Sequence, residues 1–336
     1  MLSRKILAAA IAGSFIAPTM VAADPIDFDF YGSLRLQLEH ANPDGASSYS
    51  GFRDAYSRIG FTAAAPLADG VSAFAQLELP LDLANGKVQD PYNTGDEDIR
   101  IGIIGLNTEF GSFAYGRDWM PYYNAIAYPV DMFSSFQSGF ATYAAFRVSD
   151  TLFYSSPDFN GLSFAAAYVT DGNSNAGDDN PYQLTGSYSM EDTVFSIGLQ
   201  DANDDDSTRS WGLSAMHTMG AVYIGAKVEY ITSDDNDSDG NTAANVFASY
   251  ALNQHTFKGM LATVDGFAGN VVHVGYDFQY NRSLLFFAEY YYEGEASGAI
   301  PAERARDTRD RNIFQTITDA GSDGGSVFLI GARYDF

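Results

Sequence analysis

The chain contains no cysteine. That excludes disulfide frameworks, thiolate metal sites and cysteine nucleophiles. Basic residues are scarce: 18 Lys and Arg stand against 43 Asp and Glu, for a formal net charge of −25. Such a chain has little with which to neutralise phosphates, so nucleic acid is not an expected partner. Charged residues make up 18% of the chain, below the roughly 25% of typical soluble proteins. The four histidines, at 40, 217, 255 and 273, are far apart. Neither an H-E-x-x-H nor a G-x-S-x-G pattern is present, so no enzyme is expected. Beyond residue 23 no apolar run approaches the ~18–20 residues of a membrane-spanning helix. Disorder is also excluded, because 25 Phe and 22 Tyr are too many aromatics for an unfolded chain.

Residues 1–23 pair a basic start, Arg4 and Lys5, with a short apolar core and small residues at Val21-Ala22-Ala23. This is the pattern of a secretory signal peptide. The expected organisation is therefore a leader over 1–23 and one domain over 24–336.

The rest of the chain alternates with period two. In 222–230, Val222, Ile224, Ala226, Val228 and Tyr230 lie opposite Tyr223, Gly225, Lys227 and Glu229. The same pattern runs through 28–38 and 272–280, and it is the strand period. Many runs reach nine residues or more, longer than the usual soluble strand of about 5–6. Their apolar faces carry Tyr and Phe near the ends, and their other faces carry full charges. A closed barrel with lipid outside and water inside accounts for both faces and leaves no backbone edge in hydrocarbon. Seven tight turns alternate with eight longer connections, which predicts sixteen strands: an all-β, 16-stranded antiparallel transmembrane β-barrel. The last segment, SVFLIGARYDF, places Phe328, Ile330, Ala332, Tyr334 and Phe336 on one apolar face ending in a terminal Phe.

The segment GSFAYGRD (111–118), the long loop after it and FRVSDTLFYSSPDFNGLSFAAAY (146–168) closely resemble the general diffusion porins of Gram-negative outer membranes. DFYGSLRL (29–36), SRIGF (57–61) and RIGIIGL (100–106) add to the match. The resemblance implies a homotrimer of water-filled barrels in the outer membrane, in contact with lipid and lipopolysaccharide, passing small hydrophilic solutes and ions passively. It implies a third loop folded into the barrel, here about 118–149. It also implies that the C-terminal strand, with Tyr334 and Phe336, is read by the assembly machinery, and that loop 82–97 holds the position of a subunit latch.

Loop 118–149 is rich in aromatic residues, among them Tyr122, Tyr123 and Tyr128. A loop of that length and apolarity has to bury itself, and the inside of its own barrel is the nearest surface. The resemblance sets Arg58 and Arg100 in an arginine ladder and Asp131 on the loop facing it. Alternation points both arginines inward, with Ile59, Phe61, Ile99 and Ile101 toward lipid. Glu78, Arg35 and Arg117 are further lumen candidates. Ser135 stands where a second loop acid is usual, and a third ladder arginine is not identified. Separated charges in a narrow wet slit orient dipolar solutes and set ion preference. Acidic loops at 178–179, 204–206 and 234–239 predict modest cation selectivity.

Two further signals are weaker. Asp235, Asp237 and Asp239 match the start of a calcium loop, but position twelve is Val246 rather than Glu. A solvated loop tip is the preferred reading, with a loop-bound divalent cation bridging to lipopolysaccharide as the alternative. The arginine-rich segment 301–311 reads as a mixed-charge surface loop, with a partial lid over the mouth as its alternative. For the whole protein, the alternatives to a general pore are a substrate-specific porin, for example for sugars, and an adhesin or receptor on the same scaffold.

Overall fold

The computed structural model describes residues 26–91, 99–170, 180–301 and 323–336. Its strands are β1 (Asp27–Pro43), β2 (Tyr49–Asp54), β3 (Ser57–Ala68), β4 (Val71–Leu81), β5 (Ile101–Thr108), β6 (Gly111–Trp119), β7 (Arg147–Ser155), β8 (Leu162–Val169) and β9 (Tyr182–Met190). They continue as β10 (Thr193–Asp201), β11 (Arg209–Met219), β12 (Val222–Thr232), β13 (Thr242–Leu252), β14 (His255–Val264), β15 (Gly269–Gln279), β16 (Leu284–Glu293) and β17 (Gly325–Asp335). Apart from β2 and β3, consecutive strands pair antiparallel, and β1 pairs with β17 to close the ring. β2 and β3 are two segments of one stave, both paired with β1. The barrel therefore has sixteen staves.

The break in that stave is a bulge. Tyr56 takes a φ of 68°, a left-handed conformation uncommon for a bulky residue. The Asp54 carboxylate accepts hydrogen bonds from Ser57 N (2.7 Å) and Leu83 N (3.0 Å). The Ser57 hydroxyl accepts from Arg35 N (2.7 Å) and donates to Arg35 O (3.0 Å), replacing the missing ladder bonds. Bulges bend a strand and re-aim the next side chain, and the next side chain here is Arg58.

Along β12 the usual order of a soluble protein is inverted. Lys227 and Glu229 are 5% and 0% exposed, whereas Ile224 and Val228 are 44% and 45% exposed. Lys227 and Glu229 form an ion pair inside. The exposed apolar positions make the lipid band and the charged positions line the interior. Tight turns close one end, several through residues with positive φ such as Gly70, Glu191, Gly220 and Asn253. β1 begins and β17 ends at this turn end.

One inward assignment differs from the alternation. Ile101 was expected toward lipid, but it is buried and stands in register with the inward Glu78. The chain bends at Arg100 just before β5, so Arg100 and Ile101 do not obey strict strand parity. Ile99, on the other side of the bend, is exposed. Loop residues 92–98, the acids at 178–179, the leader and the arginines of 302–311 lie outside the described residues.

Candidate functional site

The connection between β6 and β7 begins at Met120 and ends at Phe146. It contains a π-turn (Tyr123–Ala127) followed by a 3-10 turn (Tyr128–Val130). The two turns lie against the inner faces of β9 to β13. Tyr122 N donates to Gln183 Oε1 (2.9 Å), Ser214 Oγ donates to Ala125 O (2.6 Å), and Tyr223 OH donates to Pro129 O (2.8 Å). Gly198 and Gly212 make room for this approach: a Cβ on either would fall within 3 Å of Tyr122 or Ile126. Tyr122 is wholly buried there, so it is an anchor of the loop.

Further along, the loop crosses to β14–β16 and then to β1 and β2. Lys258 Nζ donates to Met132 O (3.3 Å) and Ser134 N donates to Glu289 Oε1 (2.9 Å). Phe136 N donates to Gln37 Oε1 (2.8 Å), and Tyr56 OH donates to Phe136 O (2.8 Å). The Arg53 guanidinium, paired with Glu39 at 2.8 Å, lies over the Phe136 ring at 4.5 Å. The return limb is held by Thr142 to Glu229 (3.0 Å) and by Ala145 N to Gln200 Oε1 (3.0 Å). Gln137 Nε2 also donates to Ala299 O (3.3 Å), joining the loop to the segment after β16. Charged and amide groups buried in strands thus find their partners in loop backbone, which is what holds a polar loop inside a barrel.

The wall formed by β17, β1, β3, β4 and the start of β5 carries a different arrangement. Glu78 sits between Arg58 (Nε to Oε2, 3.5 Å) and Arg100 (Nε to Oε1, 2.8 Å). Tyr31 OH also donates to Glu78 (3.1 Å) and accepts from Gln76 Nε2 (2.7 Å). Beside this group, Ser33 is in register with Arg58 and with Asp335, and Arg35 is in register with Arg333. Ser33 Oγ donates to Asp335 (2.6 Å) and accepts from Arg35 Nε (2.8 Å), while Arg333 Nε donates to Asp335 (2.9 Å). Arg58 and Arg100 therefore share Glu78, Arg333 pairs with Asp335, and among the described residues Arg35 reaches only the Ser33 hydroxyl. Arg333 stands beside this group, and the residue pattern did not mark it. Only its cross-strand register with Arg35 brings it in.

Asp131 does not join this wall. It accepts from Tyr123 OH (2.7 Å) and from the Ser138 hydroxyl, both on its own loop. Among the described residues it forms no ion pair with Arg58 or Arg100. Its charge bears instead on Lys227 and His273 of the opposite wall. Burial raises its carboxyl above the usual range, and the bonds from Ser138 and Tyr123 offset that rise only in part. Tyr123 stacks between Trp119 (4.5 Å) and Phe146 (4.8 Å), and Tyr128 meets its edge at 6.4 Å. Tyr122 and Tyr123 are buried, and Tyr128 is partly exposed.

Arg117 lies at a bulge between Gly116 and Asp118, with Nη1 donating to Ser149 at 3.2 Å, apart from the Glu78 group. At the terminus, Phe336 exchanges backbone bonds with Gly32 (2.9 and 3.1 Å). Its ring lies 5.9 Å from both Phe30 and Tyr334. In the 235–240 loop, Asp235 and Asp239 accept bonds from Asp237 N (3.3 Å) and Ser233 N (3.1 Å). Among the described residues no three His, Cys, Asp or Glu are grouped to hold a metal ion.

Comparison with known proteins agrees with this geometry. A family model described as Gram-negative porin matches residues 6–297. The outer membrane protein Omp-EA of Erwinia amylovora is 25% identical, covering all of this chain and 90% of its own length. A monosaccharide porin of a Halomonas species is 23% identical over 99% of this chain and 91% of its own length. Among solved structures, the Salmonella typhi OmpF complex with daunomycin superposes with a TM-score of 0.66 at 18% identity, covering 92% of this chain and 97% of that one.

Proposed function

We infer that this chain, which belongs to the Gram-negative porin family, is a passive pore for small hydrophilic solutes and ions. It resides in the outer membrane as a multi-pass β-barrel and is not an enzyme. The observation that carries the reading is the course of the β6–β7 loop. It is bonded round the interior from β9 to β16 and on to β1 and β2, while the arginines of β17, β1 and β3 and Arg100 bond with Glu78, Asp335 and Ser33. The permeation slot lies between the loop and that arginine wall. Its constriction residues are Arg35, Arg58, Glu78 and Arg100, with Arg333 added, and Asp131 supporting the loop from within.

Residues 1–23 act as the cleaved export signal and 24–336 as the barrel. Tyr334 and Phe336 form the assembly signal. The functional unit is a homotrimer. Exposed acids at 205–206, 234–235, 237 and 239 stand on two connections at the outer mouth and enrich cations there over about a Debye length, ~8 Å at physiological salt. The result is modest cation selectivity at low ionic strength.

Planar-bilayer recording of the refolded mature chain tests this. Ohmic conductance in steps of three is expected, with a reversal potential on the cation side in dilute KCl gradients. Liposome swelling should fall smoothly with solute size. Absence of conductance would remove the pore, and clear anion preference in dilute salt would remove the role of the mouth.

A further inference from the structure

A cavity lies between the inward loop and the wall of β12 to β15. It leaves about 20 Å³ of space open to a water-sized sphere, and its lining includes Asp131 and Thr142 of the loop and Lys227, Asn245, Met260 and His273 of the wall. Register places Lys227 beside Asn245 on neighbouring strands, and Met260 beside His273. Asn245 and His273 are 3% and 0% exposed. Yet Asn245 Oδ1 and His273 Nδ1 have no hydrogen-bond partner among the described residues. His273 Nε2 meets the Glu289 carboxylate at 3.0 Å and carries a hydrogen, so in the neutral ring Nδ1 is a bare acceptor. Asn245 Nδ2 meets the Met260 sulfur at 3.6 Å. Turning the amide over would only exchange one unpaired atom for another. Lys227 Nζ donates to Glu229 and has two further hydrogens to give.

A bare buried acceptor is costly, and folded proteins pair most of them with protein groups or ordered water. The occupant of this cavity has to be small, since about 10–15 Å³ of such space holds one water. It has to donate twice, to Asn245 Oδ1 and to His273 Nδ1, and to accept from Lys227. The Lys227 ammonium on the lining disfavours a second cation, and the Asp131 carboxylate disfavours an anion. A neutral molecule that both donates and accepts meets every condition. We propose that the cavity is a hydration site, in which ordered water donates to Asn245 Oδ1 and His273 Nδ1 and accepts from Lys227 Nζ. The water completes the hydrogen bonding of a polar stretch of wall that the loop then covers. The loop can dock there without leaving acceptors bare. The site lies behind the loop, away from the slot, so the proposal does not depend on which solutes pass.

The test uses the full mature chain, refolded. A crystal structure should show water density about 3 Å from Asn245 Oδ1 and from His273 Nδ1. Crystals under xenon pressure should take up no xenon there, because xenon enters dry apolar cavities. Crystals soaked in thallium(I) should give no anomalous peak. Asn245→Leu keeps the approximate shape of the side chain and removes its polar atoms. With water present, the variant strips that water of a partner. The urea midpoint for refolding into vesicles should then fall, and open-channel current noise should rise. With a dry cavity the same variant removes a bare acceptor, and the midpoint should rise instead. An unchanged or raised midpoint overturns the proposal. So does xenon in the cavity, or a wild-type cavity without water density. A thallium peak makes it a cation site and overturns it too. If Asn245→Leu fails to form a heat-modifiable barrel, the water density and the xenon and thallium soaks of wild type decide.

Discussion

Phe133 lies flat on His273, with ring centroids 3.4 Å apart and planes 5° from parallel. This contact joins the middle of the inward loop to the barrel wall, and a charged group stands behind it. His273 Nε2 is 3.0 Å from Glu289 Oε2. An ionised carboxylate only accepts, so that nitrogen carries the hydrogen. Glu289 also accepts from Ser134 N and from Lys258 (3.3 Å), and Lys258 reaches Asp277 at 3.0 Å. A flat ring on one side and a shared carboxylate on the other fix residues 132–134 from two directions.

Phe133→Ala should therefore loosen the loop while leaving the barrel closed. Deleting a buried Phe costs about 3–5 kcal/mol, and here that cost falls on loop docking. Open-channel current noise should rise, and liposome swelling should extend to larger sugars. The heat-modifiable mobility of the barrel should stay near wild type. If solute cut-off and current noise are both unchanged, the stack does not hold the loop.

Asp131 gives the loop a pH dependence opposite in sign to that of a surface carboxylate. Burial raises its carboxyl, and the Tyr123 hydroxyl that donates to it is itself pushed well above its usual range by burial and by the Asp131 charge. A raised folded-state value favours the neutral acid in the docked loop. The stabilisation is complete below the unfolded value, near about 4, and is lost as pH rises through the folded value. Asp131→Asn mimics the neutral acid. Its stability relative to wild type should be flat at the acid end and should rise from about pH 4 upward. Parallel stability curves across that range would show that Asp131 is not stressed.

The terminal strand joins the first through Phe336 and Gly32. A Cβ on Gly32 would sit 2.4 Å from the Phe336 ring, so Gly32→Ala forces the ring away, and Phe336→Ala removes it. Each substitution should destabilise the closed barrel, and the second should add little to the first. The coupling in a double-mutant cycle should fall in the usual range for contacting residues, about 0.5–3 kcal/mol. Full additivity in urea-dependent refolding into vesicles would show that ring and glycine act independently.

Strand existence was legible because period two is enforced by two unlike solvents at once. Val222–Thr232 and His255–Val264 could be read from alternation alone. The inward loop was legible from its load of aromatics. Details set by register were not legible. Arg333 reaches the arginine wall only because β17 pairs with β1 across about 300 residues of sequence. The break at Ala55–Tyr56 leaves no mark in the residue pattern, and most of β2 reads as part of a loop over 40–52. Ile101 followed the alternation on paper, but the bend at Arg100 overrides it. Asp131 turned inward because Tyr123 and Ser138 lie within reach along its own loop, a proximity created by the π-turn and by the path around His273.

Every reading here depends on which side of the sheet meets hydrocarbon, and Val228 tests that directly. It points out of the barrel on β12 between the inward Lys227 and Glu229. Val228→Arg places a guanidinium on the lipid face. Near the bilayer midplane such a charge costs about 2–4 kcal/mol, falling toward zero at the interfaces. Val228→Leu keeps the apolar surface and should cost almost nothing, because lipid adapts to one more methylene where a packed core would not. The contrast can be read from equilibrium refolding into bilayers with urea. A Val228→Arg chain as stable as Val228→Leu would mean that this face meets water, and the lumen assignment of Lys227, Glu229 and the arginine wall would fall with it.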